Sequence, residues 1–271
     1  MSLADLWNAH SVRRSTQLTV STDASAIDKQ SSSNHTASAS RQAKRKRPAE
    51  STHTGEVPKV RPETARKPAR SFAPGETDLG SGSVVIVKPK AFRHDDSQNL
   101  YKSLKEEVSW LHKEITVYGK KIMQPRQVAY MASDTSLSYT YSHTKLQPEA
   151  WHPQVAQVKS ELEAIAGVEF NSCLLNLYRD GNDHMGWHSD NEKLYGDDPT
   201  IGSVSFGATR RFLLRSNQDH TDKWSYDLCS GDVLIMKGST QQHWTHSIPK
   251  MTRVAQPRIN LTFRQIVQPE T

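Results

Sequence analysis

At 271 residues the chain is long enough for one domain of ordinary size plus a tail. Its formal net charge of +6 suits a polyanionic partner, although many basic proteins have none. Its two cysteines, Cys173 and Cys229, cannot form a disulfide framework, and no apolar run is long enough to span a bilayer, so a reduced, soluble protein with no membrane association is expected, taken as a monomer although nothing in the sequence fixes its oligomeric state.

Residues 1–80 are dominated by Ser, Thr, Ala, Lys, Arg and Pro. Such a segment buries too little apolar surface to offset its ordering entropy, so a disordered tail is expected, with a folded domain over 81–271. Within the tail, Leu3, Leu6 and Trp7 are a candidate docking peptide for a protein partner, or an ordinary frayed terminus. Lys44-Arg45-Lys46-Arg47-Pro48 is a basic cluster of the nuclear-localisation type, or a solvated charge run.

Residues 83–87 read as a buried strand, and 98–110 as an amphipathic helix with Leu100, Leu104, Val108 and Leu111 near one face. A second helix follows Pro153, carries Val155, Val158, Leu162 and Ile165 at helical spacing, and stops at Gly167. From there the pattern is almost all strand: 173–178, 201–206, 211–215, 224–229, 232–236, 243–247 and 258–264. Helices followed by many short strands predict an α+β protein with a sandwich or jelly-roll core.

His188 and Asp190 stand two apart on an extended segment, which turns both to one side. With a distant His they form a two-histidine, one-carboxylate facial triad, leaving three adjacent metal positions open. His220, His243 and His246 are candidates for the third ligand. His220 lies in a polar loop, and the spacing of His243 and His246 puts them on opposite faces of a strand, so pattern alone leaves the choice open. On the last strand Arg258, Asn260, Thr262 and Arg264 share one face, opposite Ile259, Leu261 and Phe263. Two arginines on one strand face suit a dicarboxylate, held through the bidentate guanidinium fork. The alternative is a half-exposed strand with a wet basic face. Asn176 and Tyr178, also of one parity, are placed to complete that pocket.

Asn176-Leu177-Tyr178, His188-Ser189-Asp190, Ser203-Val204-Ser205-Phe206-Gly207, His246 and the 258–264 strand occur together and in order. In this combination the chain resembles the AlkB family of nucleic-acid dealkylating dioxygenases, most nearly its homologue 2 and homologue 3 branches. The resemblance implies a double-stranded β-helix (jelly-roll) core with supporting N-terminal helices and a lid hairpin at roughly 112–145. It implies Fe(II) held by His188, Asp190 and His246, with 2-oxoglutarate and O2 as cosubstrates. Asn176, Tyr178, Arg258, Asn260 and Arg264 would bind 2-oxoglutarate, Arg258 at the distal carboxylate and Arg264 at the end nearest iron. The implied reaction oxidises an N-methyl group on a damaged base, 1-methyladenine or 3-methylcytosine, and releases formaldehyde, succinate and CO2. DNA is the implied partner, with RNA as the alternative.

At the substrate end the resemblance makes Tyr141 the residue that stacks on a flipped base opposite His188, with Tyr139 lining the pocket. Tyr118 sits where the double-strand branch carries its intercalating wedge. The family's repair members place a second Asp after the metal aspartate, where this chain has Asn191, with Glu192 next to it. Asn191 keeps an acceptor and loses the charge, which leaves base preference open. Arg210, Arg211, Arg215, Lys237, Lys250 and Arg253 are candidate phosphate contacts. A non-catalytic nucleic-acid binder or a zinc hydrolase would need no dicarboxylate-binding arginines.

Overall fold

The computed structural model describes residues 68–117, 120–141 and 144–267. Two sheets face each other. The larger has seven strands in the order β2-β3-β14-β11-β16-β9-β6: Gly75–Gly80 (β2), Ser83–Lys88 (β3), Val233–Gly238 (β14), Ile201–Gly207 (β11), Arg258–Arg264 (β16), Ser172–Tyr178 (β9) and Gln127–Ala132 (β6). The smaller has the order β1-β13-β12-β15-β10: Arg70–Ser71 (β1), Lys223–Leu228 (β13), Arg210–Ser216 (β12), Trp244–Ile248 (β15) and Met185–His188 (β10). Two separate hairpins complete it: Glu114–Val117 (β4) with Lys120–Met123 (β5), and Tyr139–Tyr141 (β7) with Thr144–Leu146 (β8). This is the jelly-roll core expected from the sequence.

Strand parity sorts the side chains. On β16, Ile259, Leu261 and Phe263 face one way and join a core with Val204, Phe206, Val233 and Ile235. Two helices, His94–Glu107 (α1) and Pro153–Ala166 (α2), cover that core through Leu100, Leu104, Val155, Val158 and Leu162. The opposite face meets the smaller sheet over Val85, Val87, Phe212, Leu214, Leu234 and Met236. One face of the larger sheet is therefore a closed helix–sheet core. The other must hold β16's polar residues between two sheets, which is where the site forms.

Several predicted boundaries move. The folded part does not begin at 81, because β2 pairs antiparallel with β3 and β1 pairs with β13. The first helix spans His94–Glu107 rather than 98–110, and Leu111 is 38% exposed outside it. Residue 243 is not in a strand: Thr240–His243 forms a short helix (α3), and β15 starts at Trp244. The expected lid at 112–145 is not continuous, since β6 inside it forms an edge of the larger sheet against β9. Pro153 at the first turn and Gly167 as a left-handed cap (φ 70°) end α2 as read. Cys173 is buried and Cys229 exposed, and neither forms a disulfide. Among the described residues no helix is long and apolar enough to cross a membrane.

Gly207 closes β11 at φ 87°, and a Cβ there would lie 2.6 Å from Pro257 O and 2.7 Å from the Tyr101 ring. Left-handed backbone disfavours a side chain and the space is already filled, so Gly207→Ala is expected to cost at least about 2 kcal/mol. The urea unfolding midpoint measures it; an unchanged midpoint would mean the β11 turn relaxes freely.

Candidate active site

β10 and β15 lie side by side with His188 directly opposite His246. Their rings are 4.1 Å apart between centroids, both turned between the sheets. Asp190 lies two residues past the end of β10, so strand parity does not orient it. A backbone bond does: Asp190 N donates to Gln241 Oε1 at 2.9 Å, anchoring the turn to α3. One ligand atom from each of His188, Asp190 and His246 falls within 4.8 Å of the others, and all three residues are buried. His220 is exposed, and His243, on α3, is no part of this group.

The protonation states suit a cation. Burial pulls the His188 imidazole below its ordinary value, and burial with the neighbouring His188 takes His246 down to about 3. Both rings are therefore neutral at pH 7 and keep a lone pair. His188 Nδ1 lies 2.9 Å from Gly186 O, which fixes the proton on Nδ1 and leaves Nε2 as the ligand atom. Burial would raise the Asp190 carboxyl, but the Arg264 guanidinium that donates to it outweighs burial and keeps it ionised. His246 Nδ1 is buried without a partner. Two neutral imidazoles and one carboxylate converging on a point is a donor set that fits Fe(II) in the facial-triad arrangement.

The polar face of β16 runs through the same cavity, which the three ligands line together with Asn176, Tyr178, Arg258, Asn260 and Arg264. At one end Arg264 donates to Asp190 Oδ2 from Nη2 (2.9 Å) and Nε (3.3 Å), so it bears on the metal ligand itself. At the other end Arg258 is 1% exposed. Its Nη2 donates to Ser205 Oγ at 2.9 Å, while Nε and Nη1 have no partner. Burial depresses this guanidinium to about 10. A buried guanidinium with two idle donors is an incomplete structure, and a carboxylate is the group that completes it. Between the ends, Asn260 donates to Ser203 Oγ (2.8 Å) and Val204 O (3.1 Å), and Asn176 Oδ1 accepts from Arg126 Nε at 2.7 Å. The residues therefore fit a dicarboxylate as well as a metal.

Tyr139 also lines the cavity and donates to Glu192 Oε1 at 3.3 Å. Asn191 Oδ1 and Glu192 Oε2 are buried acceptors without partners. Burial, then the Asp190 charge, pushes the Glu192 carboxyl up from its ordinary range. Tyr118 lies outside the described residues, as does the side chain of Tyr141.

Arg210 is not a phosphate contact. It is 1% exposed, and its guanidinium donates to the backbone carbonyls of Asp180 (2.9 Å), Asp183 (2.7 Å) and Pro249 (2.8 Å). A charge that reads as surface in the sequence is buried because the chain brings three carbonyls to it. Arg211 is exposed and paired with Asp227, and Arg215 lies 4.2 Å over the Trp187 ring. Lys250 and Arg253 are exposed and Lys237 half-buried. Sequence reading missed Arg126 and Gln241, and named Ser203 and Ser205 only as part of a motif, with no role in the site. The serines had a usable signal: they share parity on β11 and sit opposite Thr262 and Asn260. Gln241 and Arg126 had none, because each meets its partner only through the fold.

Over residues 83–264 the chain matches the 2OG-Fe(II) oxygenase superfamily. The DNA oxidative demethylase ALKBH2 of Arabidopsis thaliana is 33% identical over 227 residues, covering 74% of this chain and 72% of that protein. The human DNA oxidative demethylase ALKBH2 is 32% identical over 240 residues, covering 79% of this chain and 90% of that one. The bovine alpha-ketoglutarate-dependent dioxygenase alkB homolog 3 is 37% identical over 193 residues, covering 68% of this chain and 66% of its own. A solved 2OG-Fe(II) oxygenase-family oxidoreductase from Burkholderia pseudomallei superposes with a TM-score of 0.50 at 13% identity over 75% of this chain and 98% of that one, a likeness of fold alone. With a metal triad, a carboxylate-seeking arginine and this sequence kinship in one cavity, the chain belongs to the AlkB family of Fe(II)- and 2-oxoglutarate-dependent dioxygenases.

Proposed function

We propose that the protein removes N-methyl groups from alkylated DNA bases, 1-methyladenine and 3-methylcytosine, by oxidation. The observation that carries this reading is the pair of idle buried acceptors, Asn191 Oδ1 and Glu192 Oε2, which directly follow Asp190 in the chain, the second on a carboxyl that Tyr139 of the cavity wall bonds. A buried acceptor needs a donor, and the exocyclic amino groups of adenine and cytosine are donors next to the methylated ring nitrogen. The DNA demethylases named ALKBH2 among its relatives support the same substrate class.

His188, Asp190 and His246 would hold Fe(II), and Arg258 would take the distal carboxylate of 2-oxoglutarate. Bound together, iron and cosubstrate supply the oxidising power by which one atom of O2 enters succinate, with loss of CO2, and the other enters the substrate methyl. The hydroxymethyl product then breaks its N–C bond, leaving formaldehyde and the restored base. The chain's own part is to bind, orient and exclude water. Arg264 keeps Asp190 ionised and aimed, Tyr139 fixes the Glu192 carboxyl, and the buried walls keep solvent away from the reacting methyl. The Lys44–Pro48 cluster, outside the described residues, is the support for a nuclear location.

The test is mass spectrometry of single- and double-stranded 1-methyladenine oligonucleotides incubated with protein, Fe(II), ascorbate and 2-oxoglutarate. A loss of one methyl mass is expected on DNA. Turnover on matched RNA alone moves the substrate to RNA, and silence on every oligonucleotide removes the demethylation reading. Tyr118→Ala is expected to lower activity on duplex substrate more than on single strands, because a wedge compensates for lost stacking only in a duplex. Equal loss on both would remove the wedge.

A further inference from the structure

Arg210 lies close to the Arg258 end of the pocket, though every assigned role passes it by. Its Cζ is 5.4 Å from the centroid of the Tyr178 ring, and Arg258 Cζ is 5.2 Å from the same ring. Its Nη1 donates to one backbone carbonyl and its Nη2 to two, while its Nε is buried without a partner. The identity of those carbonyls matters. Asp180 and Asp183 follow β9, which bears Tyr178, and Pro249 follows β15, which bears His246.

These two loops are tied to each other in two further ways. Gly181 N donates to Val254 O at 2.7 Å, and Met251 N donates to Gly181 O at 2.8 Å. Contact is so close that a Cβ on Gly181 would fall 1.8 Å from Met251 O. Arg179 holds the Asp183 carboxylate from Nε and Nη2, each at 2.8 Å. Arg210, the first residue of β12, joins this latch to the smaller sheet, and the next residue adds a bond from Arg211 N to Met251 Sδ at 3.2 Å. Its charge also opposes that of Arg258, and burial depresses Arg210 as well. Two like charges beside one ring make an anion at the Arg258 end of the cavity more favourable than either alone.

We propose that Arg210 is a positioning residue for the dicarboxylate cosubstrate: by binding Asp180, Asp183 and Pro249 together it fixes the Tyr178 ring and the seat in which Arg258 receives the second carboxylate. The proposal rests on the reading of Arg258 as the cosubstrate's partner. It makes Arg210 responsible for the preference for a dicarboxylate over a monocarboxylate of the same 2-oxo acid type.

The test is calorimetric binding of 2-oxoglutarate and of 2-oxobutyrate, which lacks the distal carboxylate, to the Mn(II)-loaded full chain without O2. R210Q and R210K are compared with the native protein. Residues that orient a ligand-binding group through hydrogen bonds typically contribute about 10- to 100-fold, and 2-oxoglutarate is expected to weaken by that factor in both variants. Binding of 2-oxobutyrate and of Mn(II) is expected to keep its native strength. R210K retains the charge but lacks the planar fork that reaches carbonyls in three places, and it serves if R210Q does not fold. Native 2-oxoglutarate affinity in the variants overturns the proposal, and so does an equal loss for 2-oxoglutarate, 2-oxobutyrate and Mn(II), which a merely structural role produces. R258M separates the two layers. If it loses 2-oxoglutarate while R210K binds normally, only the positioning role fails; if R258M binds normally, the reading of Arg258 fails first.

Discussion

Asp190→Ala is expected to abolish iron binding and turnover and, separately, to destabilise the protein by several kcal/mol. The two losses have different causes. Removing the carboxylate takes away the one anionic ligand of the triad, and two neutral imidazoles alone hold Fe(II) weakly. It also strands Arg264, whose side chain is 6% exposed and whose Nη2 and Nε both point at Asp190 Oδ2. Breaking a buried pair by deleting one partner costs about 3–5 kcal/mol, roughly 6–20 °C in melting temperature for a domain of this size. His188→Ala should abolish turnover as completely with a smaller stability loss, since His188 Nδ1 bonds only a backbone carbonyl two residues away. The double variant Asp190→Ala/Arg264→Met should regain most of the stability and none of the activity. Thermal unfolding and iron content of the three variants decide it; an Asp190→Ala protein as stable as the native one would show that Arg264 has another way to satisfy its charge.

Arg258→Met is expected to act in the opposite sense on stability. The native guanidinium is buried, depressed to about 10, and bonded through only one nitrogen, so the cosubstrate-free protein carries an unsatisfied charge. Replacing it by an apolar side chain of similar length should leave the melting temperature unchanged or raise it. Affinity for 2-oxoglutarate should fall by on the order of 100-fold or more, because a buried carboxylate loses its partner. The stabilisation that saturating 2-oxoglutarate gives the native protein should vanish with it. Calorimetry on the Mn(II)-loaded variant and melting curves with and without 2-oxoglutarate measure both halves. An unchanged dissociation constant would reassign the distal carboxylate.

Much of this site was written in local order. The β16 face is readable because strand parity is strict: Arg258, Asn260 and Arg264 had to share a side, and Ile259, Leu261 and Phe263 had to bury the other. The two helices were readable from their own 3.6-residue apolar period and most strands from alternation, while Gly167 and Pro153 marked helix ends by their backbone preferences. Errors fell where a local pattern met a neighbour absent from the local sequence. Residues 70–80 look like tail because β1 and β2 are short, polar and partly exposed, and only the edges of β13 and β3 make them strands.

The sequence by itself determined the His188-x-Asp190 pair and the parity of the dicarboxylate strand, because both depend on residue types at fixed short spacings, and the ordered combination of motifs pointed to the family and through it to His246. Tertiary structure decided the rest. It turned Arg264 onto Asp190, left Arg258 with idle donors, and buried Arg210 against three carbonyls that are separated from it by 27 to 39 positions in the chain. Whether an arginine binds phosphate, cosubstrate or its own backbone depends on which oxygens the fold brings within 3 Å of it, and those oxygens come from distant segments.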